Sequence, residues 1–335
     1  MTIRYGPGDG RPDPGLNAIT AERRQLINLA YRLLGSLTEA EDAVQETFAR
    51  WYAMSPRQQD AIASPGAWLT TVASRICLNL LGSARAQRET YVGAWLPEPL
   101  PEAAGWSSGP QGAPADPADQ VTLDESVSMA FLVALESMTP AERVALILHD
   151  VFGYPFAEVA EITGRTPAAC RQLASIARRR VSAVRPPAAP RTRQASIVRD
   201  FKKAWEAKDV GALIGLLDPG ATVTGDGGGV APAALRPIEG GEQVARYLAD
   251  LARAAPGNVT LLERTVNGQP GLVAQQDRAT VAVYAFEIAG DHITRIWAIL
   301  NPRKLRPWAT GSHAHAIGPP PAAAAQPPLP SNADA

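Results

Sequence analysis

The stretch FAEVAEITGRTPAACRQLASIARRR, residues 156–180, gives the clearest fold signal in the chain. Apolar residues recur at helical spacing on both sides of Gly164, a residue type that easily adopts the left-handed conformation of a tight turn. Thr166-Pro167 then marks a helix start, because threonine caps helices and proline fits the first turn. Two short helices joined by a glycine turn predict a helix-turn-helix whose second helix runs to about Val184.

The charge of this segment indicates its partner. Eight arginines and no acidic residue lie between Arg165 and Arg193. Early positions of a recognition helix, such as Arg171, reach base edges in the major groove, and later ones, such as 178–180, suit phosphates. Duplex DNA binding is therefore the favoured hypothesis. The alternative is a solvated basic helix that ends in a Pro-Arg linker.

An earlier block, roughly residues 18–91, also has helical periodicity. Val44, Phe48 and Trp51 form one apolar stripe, opposite a face that is acidic and polar. That face comprises Glu39, Asp42, Gln45 and Glu46. From the residues alone it is either a solvated surface or a docking face for a basic protein.

The third block, residues 196–305, changes character. Two helices precede strands at 221–224 and 259–266, and a helix at 242–254 interrupts the strands. The clearest strands, 280–288 and 292–300, are joined by the turn Ala289-Gly290-Asp291. Helices followed by a curved antiparallel sheet predict an α+β domain.

A chain of 335 residues with 46% apolar and 19% charged residues suits two or three folded domains. Proline- and glycine-rich breaks set the expected boundaries. These are a disordered N-terminus 1–17, a helical module 18–92, a linker 93–122, the helix-turn-helix module 123–185, a linker 186–195, the α+β domain 196–306 and a disordered tail 307–335.

Targeting and metal signals are weak. Residues 1–15 have no apolar core of a signal peptide, and no apolar run is long enough to span a membrane. Cys77 and Cys170 lie in apolar helical patterns, as buried structural cysteines do, and such sparse cysteine suits the cytoplasm. His313 and His315 in the tail are too few for a metal site, so we expect neither metal nor cofactor.

Residues 30–36 (AYRLLGS) and 39–48 (EAEDAVQETF) resemble region 2 of the extracytoplasmic-function (ECF) sigma factors. In that family the acidic helix docks on the clamp helices of the RNA polymerase β′ subunit. The resemblance implies that Glu39, Asp42, Gln45 and Glu46 contact polymerase, and that core polymerase (β′ and β) and promoter DNA are the partners.

Residues 68–79 (WLTTVASRICLN) are similar to the segment of region 2 that captures a flipped base of the −10 element. The resemblance implies five −10 contacts, with Asn79 in the base pocket. They are Trp68, Arg75, Asn79, Arg85 and Arg88. For Trp68, core packing is the alternative. Leu81-Gly82 departs from the basic residue usual in the family.

Residues 166–175 (TPAACRQLAS) resemble the recognition helix of region 4, which the family uses on the −35 element. The residues that this assigns to −35 DNA share one helix and its start. They are Thr166, Arg171, Gln172, Ser175, Arg178 and Arg179.

Three further motifs are similar to those of the ECF subgroup with a C-terminal SnoaL-like extension. They are WLPEP at 95–99, DGGG at 226–229 and NPRKL at 301–305, with Val230 where lysine is usual. The resemblance implies two all-α sigma modules followed by an α+β SnoaL-like cone that regulates them. The regulatory residues are Trp95, Pro97, Asp226, Gly227, Gly228, Asn301 and Lys304. Lys304 and Arg303 are expected to clamp an acidic surface of a sigma module.

Two other functions stay open at this point. A helix-turn-helix repressor would bind duplex operator as a symmetric dimer, with a small effector in its third block. A SnoaL-type isomerase would need an acid or base inside the cone, but Asp218, Asp226 and His292 lie beside turns and are expected to be exposed. A non-enzymatic sigma factor, monomeric when free and with a possible small ligand in the cone, is the favoured interpretation.

Overall fold

The computed structural model describes residues 14–89, 91–101, 127–184 and 190–309. The first group of elements is helical: α1 (Pro14–Leu34), α2 (Leu37–Tyr52), α3 (Pro56–Asp60) and α4 (Pro65–Glu89). The second is also helical: α5 (Met129–Glu136), α6 (Pro140–Leu146), α7 (Phe156–Thr163) and α8 (Pro167–Val184). The third comprises α9 (Arg191–Glu206), α10 (Val210–Leu216), β1 (Leu217–Asp226), β2 (Ile238–Glu239), α11 (Gly241–Ala254), β3 (Val259–Val266), β4 (Gln269–Gln276), β5 (Ala279–Ala289) and β6 (His292–Ile299). This order confirms the predicted fold class.

Local capping signals place several element ends where the sequence predicts them. Thr139 accepts a hydrogen bond from the amide of Glu142, whose carboxylate accepts one from the Thr139 amide at 2.8 Å. Gly164 ends α7 in the left-handed conformation, with φ +65°. After α6, residues Ile147–Val151 form a π-helical turn where the apolar pattern predicts regular helix up to Gly153.

The two helical groups share one apolar core, in which α1, α2 and α4 pack with α6, α7 and α8. Polar contacts also join them. The buried guanidinium of Arg143 in α6 donates to the carbonyl of Leu33 at 2.9 Å. The hydroxyl of Tyr154 donates to Thr70 of α4 at 3.1 Å. The helical modules are therefore packed against each other over a broad surface.

The third group is built on a six-stranded sheet in the order β2-β1-β6-β5-β4-β3. Its pairs are antiparallel except β1 and β6, which are parallel, so the expectation of an antiparallel sheet was wrong at this pair. Strand β2, helix α11 and the hairpin-linked strands β3 to β5 separate β1 from β6, and this path returns β6 beside β1 in the same direction. Helices α9 to α11 cover one face, where Phe201 and Trp205 are buried.

The other face of the sheet packs against the residues that connect the helical groups. We call residues 91–101 the linker segment. Leu96 of this segment and Met129 of α5 lie in one apolar cluster with sheet residues such as Val283 and Trp297. The C-terminal domain therefore touches both the linker segment and the start of the second helical group.

The folded chain extends past residue 306, where the disordered tail was expected to begin. A short 3₁₀ turn at Arg306–Trp308 follows the sheet, and Trp308 is only 7% exposed. Its indole N–H donates to the carbonyl of Pro99 at 2.7 Å. The predicted start of the tail at residue 307 was thus too early. The composition of the segment is rich in proline and alanine, and composition does not show that one tryptophan near its start is buried.

Candidate nucleic-acid interface and domain junction

Helix α8 presents one polar face that its packing leaves open. Its residues lie at Arg171 and one, four, seven and eight positions after it. All of them are exposed: Arg171, Gln172, Ser175, Arg178 and Arg179. Cys170 and Ala174 on the opposite side are buried in the helical core. Thr166 caps the helix, since its hydroxyl accepts a hydrogen bond from the Ala169 amide at 3.2 Å. The side chains of this face therefore carry hydrogen-bond donors that are open to solvent.

The arginines late in α8 differ in how they are held. Arg178 makes two hydrogen bonds to the carboxylate of Asp150, at 2.5 and 2.9 Å. Arg179 is exposed and has no ion pair within the ranges that the structure describes. A DNA phosphate would have to compete with Asp150 for Arg178 but not for Arg179. Sequence periodicity does not separate the two, since it contains no information about Asp150.

Helix α4 carries the residues assigned to −10 DNA. Trp68 is half-buried and packs on Trp51, with ring centroids 5.3 Å apart, which supports the core-packing alternative. Asn79 is exposed on the same helix. The side chains of Arg85 and Arg88 lie outside the described residues.

Arg75 is exposed, yet it is engaged by the second helical module. Its guanidinium donates to the carbonyl of Glu161 in α7 at 2.9 Å. Leu81, at the departure from the family pattern, is buried in the helical core. Helix α4 and the helix-turn-helix are therefore in direct contact.

The acidic face of α2 is open to solvent over three of its four residues, Asp42, Gln45 and Glu46, whereas Glu39 is half-buried. Glu46 pairs with Arg50 one turn later, at 2.5 Å, and both side chains are more than half exposed. Exposed pairs of this type contribute little stability, so they break readily in favour of a partner.

Asp226, at the end of β1, lies at the junction between the C-terminal domain and the linker segment. Its carboxylate accepts hydrogen bonds from the hydroxyl of Tyr91 at 2.6 Å and from the amide of Leu96 at 2.9 Å. Lys304 forms an ion pair with it at 2.7 Å and also donates to the Leu96 carbonyl. Asn301 donates to the Tyr91 hydroxyl at 2.8 Å. We call these five residues the Asp226 network.

Two expectations about this region were wrong. Asp226 was expected to be exposed beside a turn, but it is 0% exposed, because the turn folds over the linker segment. Lys304 was expected to clamp an acidic surface of a sigma module, but its ammonium binds Asp226 and lies 4.1 Å from the centroid of the Trp95 ring. The charges are buried together, and such pairs persist only when fully hydrogen-bonded.

The glycines after Asp226 allow the loop to close tightly. A Cβ on Gly227 would lie 2.0 Å from the carbonyl oxygen of Ala231. Gly228 has φ +64°, and a Cβ there would lie 2.4 Å from the Asn301 amide nitrogen. The DGGG and NPRKL motifs thus fit each other sterically. Val230, where the family usually has lysine, is exposed.

The other end of the linker segment binds the first helical module. The Glu98 carboxylate accepts hydrogen bonds from the hydroxyl of Ser36 at 2.7 Å and the amide of Leu37 at 2.8 Å. Burial raises the pKa of this carboxyl, although these hydrogen bonds partly oppose the effect. Trp95 and Pro97 pack close to Gly35. The WLPEP motif therefore fills the space between two domains.

Asn267 joins all three parts of the chain and was missed by sequence reasoning. It lies in the β3–β4 turn with φ +49°. Its amide donates to the hydroxyl of Tyr31 at 2.8 Å and to the carbonyl of Val127 at 2.9 Å. Its side-chain oxygen accepts from the Leu100 amide at 2.9 Å. The Asn-Gly turn signal was available, but it predicts only a hairpin and not these distant partners.

Comparison with known proteins identifies the helical modules. The family model of sigma-70 region 2 matches residues 18–87, and that of sigma-70 region 4 matches residues 128–181. The ECF RNA polymerase sigma factor SigJ of Mycobacterium tuberculosis H37Rv is 39% identical over 298 residues, covering 85% of this chain and 91% of SigJ. The chain belongs to the ECF sigma factor family.

Two further similarities extend over the whole sigma factor. The probable ECF RNA polymerase sigma factor SigI of the same organism is 35% identical, covering 88% of this chain and 96% of SigI. The crystal structure of M. tuberculosis SigJ matches with a TM-score of 0.66 at 35% identity, covering 87% of this chain and 98% of SigJ. The similarity includes the α+β part, which is the SnoaL-like extension of this sigma factor.

Family membership decides between the functions that the sequence left open. A sigma factor initiates transcription with RNA polymerase, which excludes the simple repressor. Among the described residues, no helix is long and apolar enough to cross a membrane.

Proposed function

We propose that this sigma factor contacts its partners through three surfaces. The acidic face of α2 docks on core polymerase at β′, with further contacts to β. Helix α4 captures the −10 strand around Asn79, and α8 grips the −35 duplex with Arg171, Gln172 and Ser175. Exposure of these side chains and the basic character of α8 support this assignment.

The SnoaL-like domain, in this proposal, regulates the sigma modules by holding them together. Region 2 and region 4 contact polymerase and promoter at separate places. The two modules must therefore be able to move apart. The contact of Arg75 with Glu161 and the bonds of Asn267 to Tyr31 and Val127 oppose this separation. The cytoplasmic, monomeric protein is thus closed when free, and it opens as polymerase binds.

Binding of the full-length protein to core polymerase, followed by run-off transcription, tests the docking surface. The variant Asp42→Ala with Glu46→Ala should lose polymerase affinity while its thermal unfolding is unchanged. The matched control is Glu242→Ala with Asp250→Ala, which removes two exposed, ion-paired carboxylates from α11. Equal polymerase affinity of the two double variants would refute the docking assignment.

Regulation by the SnoaL-like domain has its own test. Asp226→Asn weakens the tie to the linker segment without removing a surface that contacts polymerase or DNA. The expected result is a change in run-off product of several-fold with an intact fold by circular dichroism. Wild-type transcription from Asp226→Asn protein with a measurably weakened junction would remove the regulatory role.

A further inference from the structure

Three consecutive arginines in the second half of α8, Arg178, Arg179 and Arg180, differ in what neutralises them. The Arg178 guanidinium donates from Nε and Nη2 to the two carboxylate oxygens of Asp150, at 2.5 and 2.9 Å. Arg180 forms an ion pair with the buried carboxylate of Glu142 at 2.8 Å. Carboxylates of region 4 itself therefore hold the first and the third arginine of the run.

Asp150 binds Arg178 as a phosphate group would. Two oxygens of one anion face two N–H groups of one guanidinium, which is also the geometry in which arginine binds phosphate. The side chain of Arg178 is 48% exposed and that of Asp150 is 22% exposed, so the pair lies at the protein surface. Arg178 follows Arg171 by seven positions, or about two helical turns, and shares its exposed face. Asp150 therefore engages a cation of the face to which we assign DNA binding.

The chain departs from regular helix where it carries Asp150. Residues Ile147–Val151 form a π-helical turn, in which the Phe152 amide donates to the Ile147 carbonyl at 3.1 Å. A π turn is wider than an α turn, so its side chains leave the helix axis in other directions, and such turns are frequent at functional sites. The guanidinium of Arg32 in α1 lies 5.8 Å from the centroid of the Phe152 ring, so region 2 packs against this turn. The position of Asp150 is thus set by the fold and not by a mobile loop.

We propose that Asp150 limits the sequence-independent affinity of region 4 for DNA by holding Arg178 in place of a phosphate. A phosphate contact strengthens binding to every sequence, whereas base contacts distinguish one sequence from another. Of the three arginines, Arg179 is then the one without a carboxylate partner among the described residues. Binding of α8 to DNA consequently depends more on base contacts and on the attached polymerase. This inference rests on the proposed −35 role of α8.

Holoenzyme binding to two duplexes tests the proposal in the full chain. One duplex carries the promoter, and the other carries the same promoter with a scrambled −35 element. Asp150→Asn keeps the size of the side chain and removes its charge, which leaves Arg178 available to a phosphate. The affinity for both duplexes should rise roughly fivefold, the effect of one exposed charge pair. The salt slope of binding should steepen by about 0.9.

Two further variants separate this mechanism from a general effect of charge or folding. In an Arg178→Ala background, Asp150→Asn should change neither the affinity nor the salt slope. Arg178→Ala alone leaves the π turn untouched and should change the salt slope little. The matched control is Asp250→Asn, which removes the partner of Arg253 in α11 and should leave binding to both duplexes unchanged.

Three results would overturn the proposal. They are an unchanged salt slope in Asp150→Asn, a loss of affinity in that variant, and an equal gain of affinity with and without Arg178. The last result would show that Asp150 acts only as a negative charge near DNA. Arg171→Ala on the same duplexes tests the −35 role of α8 separately. If that variant distinguishes the two duplexes as well as wild type does, the −35 role fails, whatever the coupling between Asp150 and Arg178.

Discussion

The amide of Asn267 donates to the hydroxyl of Tyr31 at 2.8 Å, across 236 residues of sequence. Tyr31 in turn donates to the Glu98 carbonyl at 2.6 Å, and both side chains are buried. One hairpin turn of the SnoaL-like domain is thus bonded to region 2, and through Val127 to the start of region 4. We therefore expect that breaking the hydrogen bonds of this turn destabilises the packing of both modules.

Substitution at Asn267 should weaken that junction. Asn267→Asp removes both donated hydrogen bonds but keeps the acceptor for Leu100 and tolerates positive φ. Leaving the partners unsatisfied should cost about 1–3 kcal/mol in urea unfolding. Asn267→Gly keeps the turn and removes all three bonds without burying a carboxylate, so it isolates the cost of the lost hydrogen bonds. Unchanged stability in both variants would show that the contacts do not stabilise the closed form.

The Lys304–Asp226 pair should behave as one unit. Lys304→Met leaves a buried carboxylate without its cation and should destabilise the protein by about 3–5 kcal/mol. In the double variant with Asp226→Asn, the loss of unfolding free energy should be smaller than the sum of the losses in the two single variants. The reason is that the two remaining side chains are both neutral. Strictly additive free energies of unfolding would contradict the pairing.

Substitutions of the individual arginines of α8 should have different effects on DNA binding. Arg171→Ala should weaken binding of polymerase holoenzyme to promoter DNA with little effect on stability. Arg179→Ala should also lower the salt slope of binding by about 0.9 if it holds one phosphate. Arg178→Ala should lower the salt slope less than Arg179→Ala does, because Asp150 already engages the Arg178 guanidinium. Anisotropy titrations at several salt concentrations measure the salt slope of each variant. An equal change of slope in all three variants would contradict this prediction.

Glu98 should make stability depend on pH. Burial holds the pKa of its carboxyl above that of the unfolded chain. The folded state therefore binds this proton more tightly, and the stability from Glu98 is present at acidic pH and is lost as pH rises through the folded pKa. Compared with the non-ionising Glu98→Gln, wild type should lose melting temperature as pH rises from acidic to neutral. Parallel melting curves of the two proteins across that range would contradict this expectation.

Truncation should locate the true end of the folded domain. A chain that ends after Leu305 lacks Trp308, which packs in the junction and bonds Pro99. By analogy with buried Trp→Ala changes, the loss should reach about 3–5 kcal/mol, whereas a chain ending after Ala309 should melt as wild type does. Identical melting of the two truncated proteins would show that Trp308 adds nothing.

Sequence alone determined the local structure and the family of this protein. The capping box at Thr139, the left-handed Gly164 and the exposed arginine face of α8 follow from neighbouring residues, so short-range patterns predict them. The motifs at 95–99, 226–229 and 301–305 were recognised in the sequence, but none of them indicated that the three pack against one another.

Only the tertiary structure decided which polar groups are buried and with whom. Asp226 meets Leu96 across 130 residues, and Asn267 meets Val127 across 140. A turn-forming Asp-Gly or Asn-Gly has the same local signal whether its side chain faces water or another domain. Burial and pairing depend on which surfaces the whole fold brings together, and that information is spread over hundreds of residues. Helical periodicity repeats every few residues and so could be identified in advance.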